Sequence, residues 1–108
     1  MSHATPDLAE TVVMKFGGTS VADAERIKRA AERIAARARG GNRVAVVLSA
    51  RGKTTDDLIR MANEVSDRPD PREMDMLLST GERISCALAA MVLKDLGFQA
   101  ESFSGSQA

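Results

Sequence analysis

The 108-residue chain has a single cysteine, a single histidine and no excess charge of either sign, with Lys plus Arg and Asp plus Glu each numbering 15. One cysteine, Cys86, excludes an internal disulfide framework and fits a reducing compartment. Balanced charge excludes the strongly basic footprint expected of a nucleic-acid binder. His3 and Cys86 share no spacing with carboxylates that would mark a zinc site, so no metal ligands are assigned to the chain. The opening "MSHATPDLAE" lacks the charged start and apolar core of a secretory signal, and no apolar run approaches membrane-spanning length. A cytoplasmic protein without nucleic-acid or membrane partners is expected. There is no internal repeat and no low-complexity linker.

What is present is the composition of a globular domain, with hydrophobic residues at 44% and charged residues at 28%. The run Thr11 to Phe16 is β-branched and apolar and stops at Gly17 and Gly18, which predicts a buried strand followed by a turn. From Asp23 the period changes. Ile27, Ala30, Ala31, Ile34 and Ala38 fall on one face of an amphipathic helix, which Gly40 and Gly41 end with a left-handed cap. "RVAVVLSA" predicts a second strand covered on both faces. Thr54 or Thr55 can cap the next helix, whose inner stripe is expected to be Leu58, Met61, Ala62 and Val65.

"SDRPDP" reads as a loop, and Pro71 suits the first turn of a long helix ending near Gly97. Met74, Leu77, Leu78, Ile84, Leu88 and Val92 keep helical spacing along it, with Met74, Met76 and Met91 expected as core filler and Cys86 as a small buried residue. Gly81 interrupts this helix, and its place there suggests a close backbone approach. "FQAESFSGSQA" starts like a third strand and ends in a loop. Alternation of strands and helices predicts an α/β layered architecture, with a mostly parallel sheet and helices on both faces. Three strands are few for such a sheet, so residues 11–108 are expected to be the first part of a larger domain, preceded by a disordered segment over 1–10.

Candidate chemistry gathers where strands end, because ligand sites in open α/β sheets lie beyond the carboxyl ends of the strands. Lys15 and Phe16 sit at one such end, and Gly17 and Gly18 let backbone amides approach an anion without a Cβ in the way. Thr19 and Ser20 add hydroxyls, and the helix near Asp23 adds a positive end, a set that suits a phosphate chain. The same residues also make an ordinary tight turn after a strand. "GKT" at 52–54 is not a Walker A loop, since the position five before Gly52 is Val47 within the strand. It still delivers Ser49, Thr54 and Thr55 to the edge that carries Lys15. In "STGERIS", Glu82 beside Gly81 is a carboxylate placed to receive a substrate ammonium, although a Glu-Arg pair on a helix is commonly a solvated surface feature.

Taken together, "MKFGGTSVADAERIKRAAERI", "VVLSARGKTTDDLIRMA", "REMDMLLSTGERISCALAAMVLKDLG" and "SFSGSQA" resemble the amino-terminal part of aspartokinases, in the amino-acid kinase superfamily. The resemblance runs from about Val12 to the last residue. It implies the amino-acid kinase (carbamate kinase-like) fold and an ATP- and Mg2+-dependent phosphorylation of the side-chain carboxylate of L-aspartate. The product would be 4-phospho-L-aspartate, for lysine, threonine and methionine synthesis.

By that resemblance Lys15 contacts the transferring phosphoryl group, and Lys15, Phe16, Gly17, Gly18 and Ser49 form the nucleotide side. Thr54, Thr55 and Asp56 match the loop that closes on aspartate, and Glu82 receives the substrate amino group. Mg2+ would be held through the nucleotide phosphates. A homo- or hetero-oligomer is implied for the whole protein. Arg51 departs from the methionine that many aspartokinases carry there, and the family's later glycine-rich loop, substrate-carboxylate arginine, nucleotide-base pocket and ACT domains would lie beyond Ala108. No turnover is therefore expected from these 108 residues alone. Other readings are a different superfamily member, acting on glutamate, N-acetylglutamate or a nucleoside monophosphate, and a noncatalytic assembly fragment.

Overall fold

The computed structural model describes residues 9–103, so the segment expected to be disordered falls mostly outside it, as do His3 and the "SGSQA" end. Strand β1 (Thr11–Phe16), a 3₁₀ turn (Gly18–Val21), helix α1 (Ala24–Arg39), strand β2 (Arg43–Leu48), helix α2 (Gly52–Val65) and helix α3 (Pro71–Asp95) follow in order. The two strands pair in parallel with Thr11 opposite Arg43 and Phe16 opposite Leu48. The Ser49 amide donates to the Phe16 carbonyl at 3.1 Å, which carries the pairing one step past the strand ends.

Helix α1 starts where its cap permits. Asp23, in extended backbone, accepts from the Arg26 amide through Oδ1 at 2.9 Å, while Glu25 in the first turn and Arg37 and Arg39 in the last complement the helix dipole. Its buried face is Ile27, Ala30, Ala31, Ile34 and Ala35, so Ala35 takes the place expected of Ala38. Gly41, at φ +95, is the left-handed residue that ends the helix, and Gly40 keeps an ordinary φ of −76. α3 starts at Pro71 behind an Asp70 cap that accepts from the Glu73 amide at 3.1 Å. Gly97, also at φ +95, follows its end.

The core lies between one face of the sheet and the two helices α1 and α3. Phe16 and Leu48, with Met14, Val44 and Val46, meet Ile27, Ala31 and Ile34 from α1 and Ala89 and Leu93 from α3. Each fully buried aliphatic or aromatic side chain contributes about 1.5–3 kcal/mol.

Both strands alternate in burial along their length, rather than being covered on both faces. Val13 (69% exposed) and Val47 (52%) lie on a bare outer face, because the described helices pack on the inner one. The third strand does not form within the described residues. Phe98 and Ala100 pack against the core instead, and residues 98–103 have no regular structure.

Two helical stripes are turned relative to expectation. In α2 only Ala62 is buried, while Met61 and Val65 are exposed (58% and 80%). In α3 the buried row is Gly81, Ser85, Ala89 and Leu93, a ridge of mostly small residues at four-residue spacing that lets the helix approach closely. Ile84, Leu88, Met76 and Met91 face outward and are not core filler. Against the expectation from sequence, α3 is long and apolar enough by length and composition to cross a membrane. Thr54 and Thr55 lie inside the first turn of α2 and do not cap it. Arg51 stands at the cap with no side-chain bond to the backbone.

Candidate active site

The parallel register sets the loop after β1 beside the loop after β2. Their contact is close: a Cβ on Gly18 would lie 2.8 Å from the Ala50 carbonyl oxygen and 3.2 Å from the Gly52 nitrogen. Gly18 therefore serves loop against loop, whereas a Cβ on Gly17 would meet nothing within 4 Å. α3 comes up against the same junction. At Gly81 a Cβ would stand 2.7 Å from the Ala50 Cβ and 3.5 Å from the Thr54 Cγ2, so the approach expected there is real and its partner is Ala50. Ala50 is thus the point on which both loops and the long helix close.

That closure shapes a cavity of about 460 Å³ lined by Ser49, Ala50, Thr55, Asp75, Leu78, Ser79 and Glu82. It brings together Ser49, Thr55 and Glu82, which lie far apart in sequence. Asp75 and Ser79 join them unforeseen, although 75, 79 and 82 share one helical face and that spacing was the available signal. The Thr55 hydroxyl donates to the Arg51 carbonyl at 3.3 Å and the Ser79 hydroxyl to the Met76 carbonyl at 2.8 Å. With their protons so engaged, both oxygens remain acceptors toward the cavity. Two carboxylates and acceptor hydroxyls make a lining suited to a ligand that donates hydrogen bonds and carries positive charge.

Other expected residues stand outside this cavity. Thr54 turns its methyl toward Gly81 and accepts from Arg51 Nε at 3.2 Å, and Asp56 is exposed. Lys15 is exposed on the outer face of β1, opposite buried Phe16 and paired across the strands with Val47. Neither Lys15 nor Gly17 lines the cavity. The link between the two places is Ser49, which lines the cavity and is bonded through its amide to Phe16.

One turn beyond Glu82, Cys86 is half-buried against the core. Burial pushes its thiol pKa up, the charge of Glu82 adds to the rise, and a backbone hydrogen bond at Leu48 opposes it. The thiol is therefore protonated at neutral pH and not a nucleophile.

A parallel two-stranded sheet with its helices, and a site built at the carboxyl ends of the strands, define an α/β domain, and the chain belongs to the amino acid kinase family, whose model matches residues 10–108. Within the family its relatives are aspartokinases. It is 64% identical over 97 residues to the aspartokinase of Mycolicibacterium smegmatis, covering 90% of this chain and 23% of that protein. It is 57% identical over 97 residues to the aspartokinase of Corynebacterium glutamicum, with the same shares covered. Among solved structures it matches aspartate kinase from Synechocystis with a TM-score of 0.77 and 51% identity, covering 80% of this chain and 15% of that one. The chain thus spans about a quarter of the length of the curated relatives it matches.

Proposed function

We propose that the natural protein carrying these residues is an aspartate kinase, which transfers the terminal phosphoryl group of ATP to the side-chain carboxylate of L-aspartate. The observation that carries this reading is the Ser49, Thr55, Asp75 and Glu82 cavity, whose acceptor-rich lining suits the ammonium of an amino-acid substrate. The names of the relatives support the same assignment. N-acetylglutamate and nucleoside monophosphates carry no such ammonium, so the lining favours a free amino acid over them.

In this reading Glu82 accepts the substrate's amino protons and Asp75 adds negative potential behind it. Thr55 and Ser49 orient the ligand. An aspartate carboxylate is ionised at neutral pH and requires no general base, which leaves positioning and charge neutralisation as the catalytic work. Lys15 performs the neutralisation: on the outer face, one strand away from Ser49, its ammonium meets the phosphates, and the backbone of Phe16, Gly17 and Gly18 continues that side. Mg2+ would be carried by the nucleotide phosphates, where it supplies further charge neutralisation. The product, 4-phospho-L-aspartate, serves lysine, threonine and methionine synthesis, in the cytoplasm, and the whole protein works as an oligomer.

Steady-state kinetics on the full natural chain tests the two sides separately. Glu82→Gln is expected to raise the KM for aspartate about 10- to 100-fold, the worth of one hydrogen bond to a charged group, with little change for ATP. Lys15→Ala is expected to lower kcat about 100- to 1,000-fold with a small change in nucleotide KM. An unchanged aspartate KM in the first variant moves the amino-group site away from α3, and near-normal turnover in the second removes Lys15 from the chemistry.

A further inference from the structure

A second cavity, of about 290 Å³, lies between the 3₁₀ turn and α1, lined chiefly by Phe16, Thr19, Ser20, Arg26, Arg29 and Arg33. Its polar lining consists entirely of groups that can donate hydrogen bonds, and no carboxylate takes part. The three arginines recur at 26, 29 and 33, one face of the first turns of α1. Arg33 is held by stacking, its guanidinium 5.5 Å from the centre of the Phe16 ring.

The neighbouring acids do not pair with these guanidinium groups. Asp23 spends Oδ1 on the Arg26 backbone amide, and Glu25 and Glu32 do not line the cavity. Among the described residues no ion pair reaches Arg26, Arg29 or Arg33. All three arginines are exposed, and arginine's planar fork is matched to phosphate oxygens.

We propose that this cavity binds a small anion with two linked phosphate groups, of the inorganic diphosphate class. Charge selects the class. A single phosphate ester carries about −1.5 to −2 near neutral pH, which leaves a cluster of three cations under-neutralised, whereas a diphosphate matches it. The Thr19 and Ser20 hydroxyls supply further donors at the mouth. The site is distinct from the kinase reading above: it lies on the inner, α1 side of β1 with Phe16, and Lys15 points to the other face.

Titration calorimetry on the full natural chain, with inorganic diphosphate as the probe and orthophosphate and sulfate as controls at equal ionic strength, tests the proposal. Saturable diphosphate binding at least about 10-fold tighter than sulfate is expected, weakened about 10-fold or more by Arg29→Gln and further by adding Arg26→Gln. Arg29→Lys, which keeps charge but loses the fork, should fall between wild type and Arg29→Gln. With the nucleotide side filled by a nonhydrolysable ATP analogue, diphosphate binding at this cavity should persist. Diphosphate binding no tighter than sulfate, binding retained in a folded Arg26→Gln/Arg29→Gln variant, or loss of binding when the ATP analogue is present would each overturn it. Should the double variant fail to fold, the ordering of wild type, Arg29→Lys and Arg29→Gln decides.

Discussion

Gly81 shows how one absent methyl group decides the shape of a site. In an exposed helix, alanine in place of glycine adds about 1 kcal/mol of stability. Here the new Cβ would sit 2.7 Å from the Cβ of Ala50, a side chain with no freedom to move aside, so either α3 or the loop after β2 must shift. Gly81→Ala is therefore expected to destabilise the full chain by about 1–3 kcal/mol, measurable by denaturant unfolding, and to raise the aspartate KM because Ser49 and Glu82 separate. Unchanged stability and KM would show that the junction gives way freely. The same reasoning separates the two glycines after β1. Gly18 is required by the Ala50 carbonyl, while Gly17 faces open space and keeps its amide accessible. Glu82 and Ser49 were legible as chemistry-bearing residues from their neighbours in sequence. Asp75 was not, since its membership depends on how far α3 is rotated.

Helices α1 and α3 owe their starts to short polar caps and their burial to partners. Asp23 anchors α1 through a single 2.9 Å bond, and α1 carries both the core stripe of Ile27 and Ile34 and the arginines on its other side. Asp23→Ala should cost about 1 kcal/mol, read as a lowered denaturation midpoint with unchanged slope, with Asp23→Asn restoring most of it. Loss well above 2 kcal/mol would mean that Asp23 does more than cap. These starts were readable from local sequence, as were the ends at Gly41 and Gly97. α2 is the contrasting case: its periodic stripe of Leu58, Met61, Ala62 and Val65 is real as a pattern, yet only Ala62 is buried and Leu58 half-buried among the described residues. A pattern states which residues could be buried together. What lies opposite decides which are.

The sheet as a whole has an inner face packed on α1 and α3 and an outer face on which Val13 and Val47 lie bare beside Lys15. Parallel sheets are as a rule covered on both faces, and the curated relatives are about four times as long as this chain. The outer face is thus where a second covering layer is expected to pack. Val47→Asn is expected to destabilise the full natural chain by about 1–3 kcal/mol, because an unpaired polar amide would be placed under that cover. Thermal unfolding of the full chain checks this, and a change within about 0.5 kcal/mol would show the face to be solvated. α3 illustrates the same point for composition. Only 17% of its apolar stretch is buried among the described residues, and Met76, Ile84, Leu88 and Met91 remain exposed.

The succession of the two strands and three helices, the strand bounds at Thr11 and Phe16 and the glycine stops could be read from residue order, because each depends on neighbours within a few positions, whereas the expected third strand and the Thr54 or Thr55 cap did not appear. Helical and strand periods, capping oxygens and positive φ are local physics. Contacts between distant segments settled the rest. The parallel register joined Ser49 to Phe16, the closure on Ala50 brought Glu82 to Thr55, and one-sided packing turned Lys15 to the opposite face from the arginines of α1. Burial is a property of pairs of surfaces, and a single stretch of sequence specifies only one member of each pair.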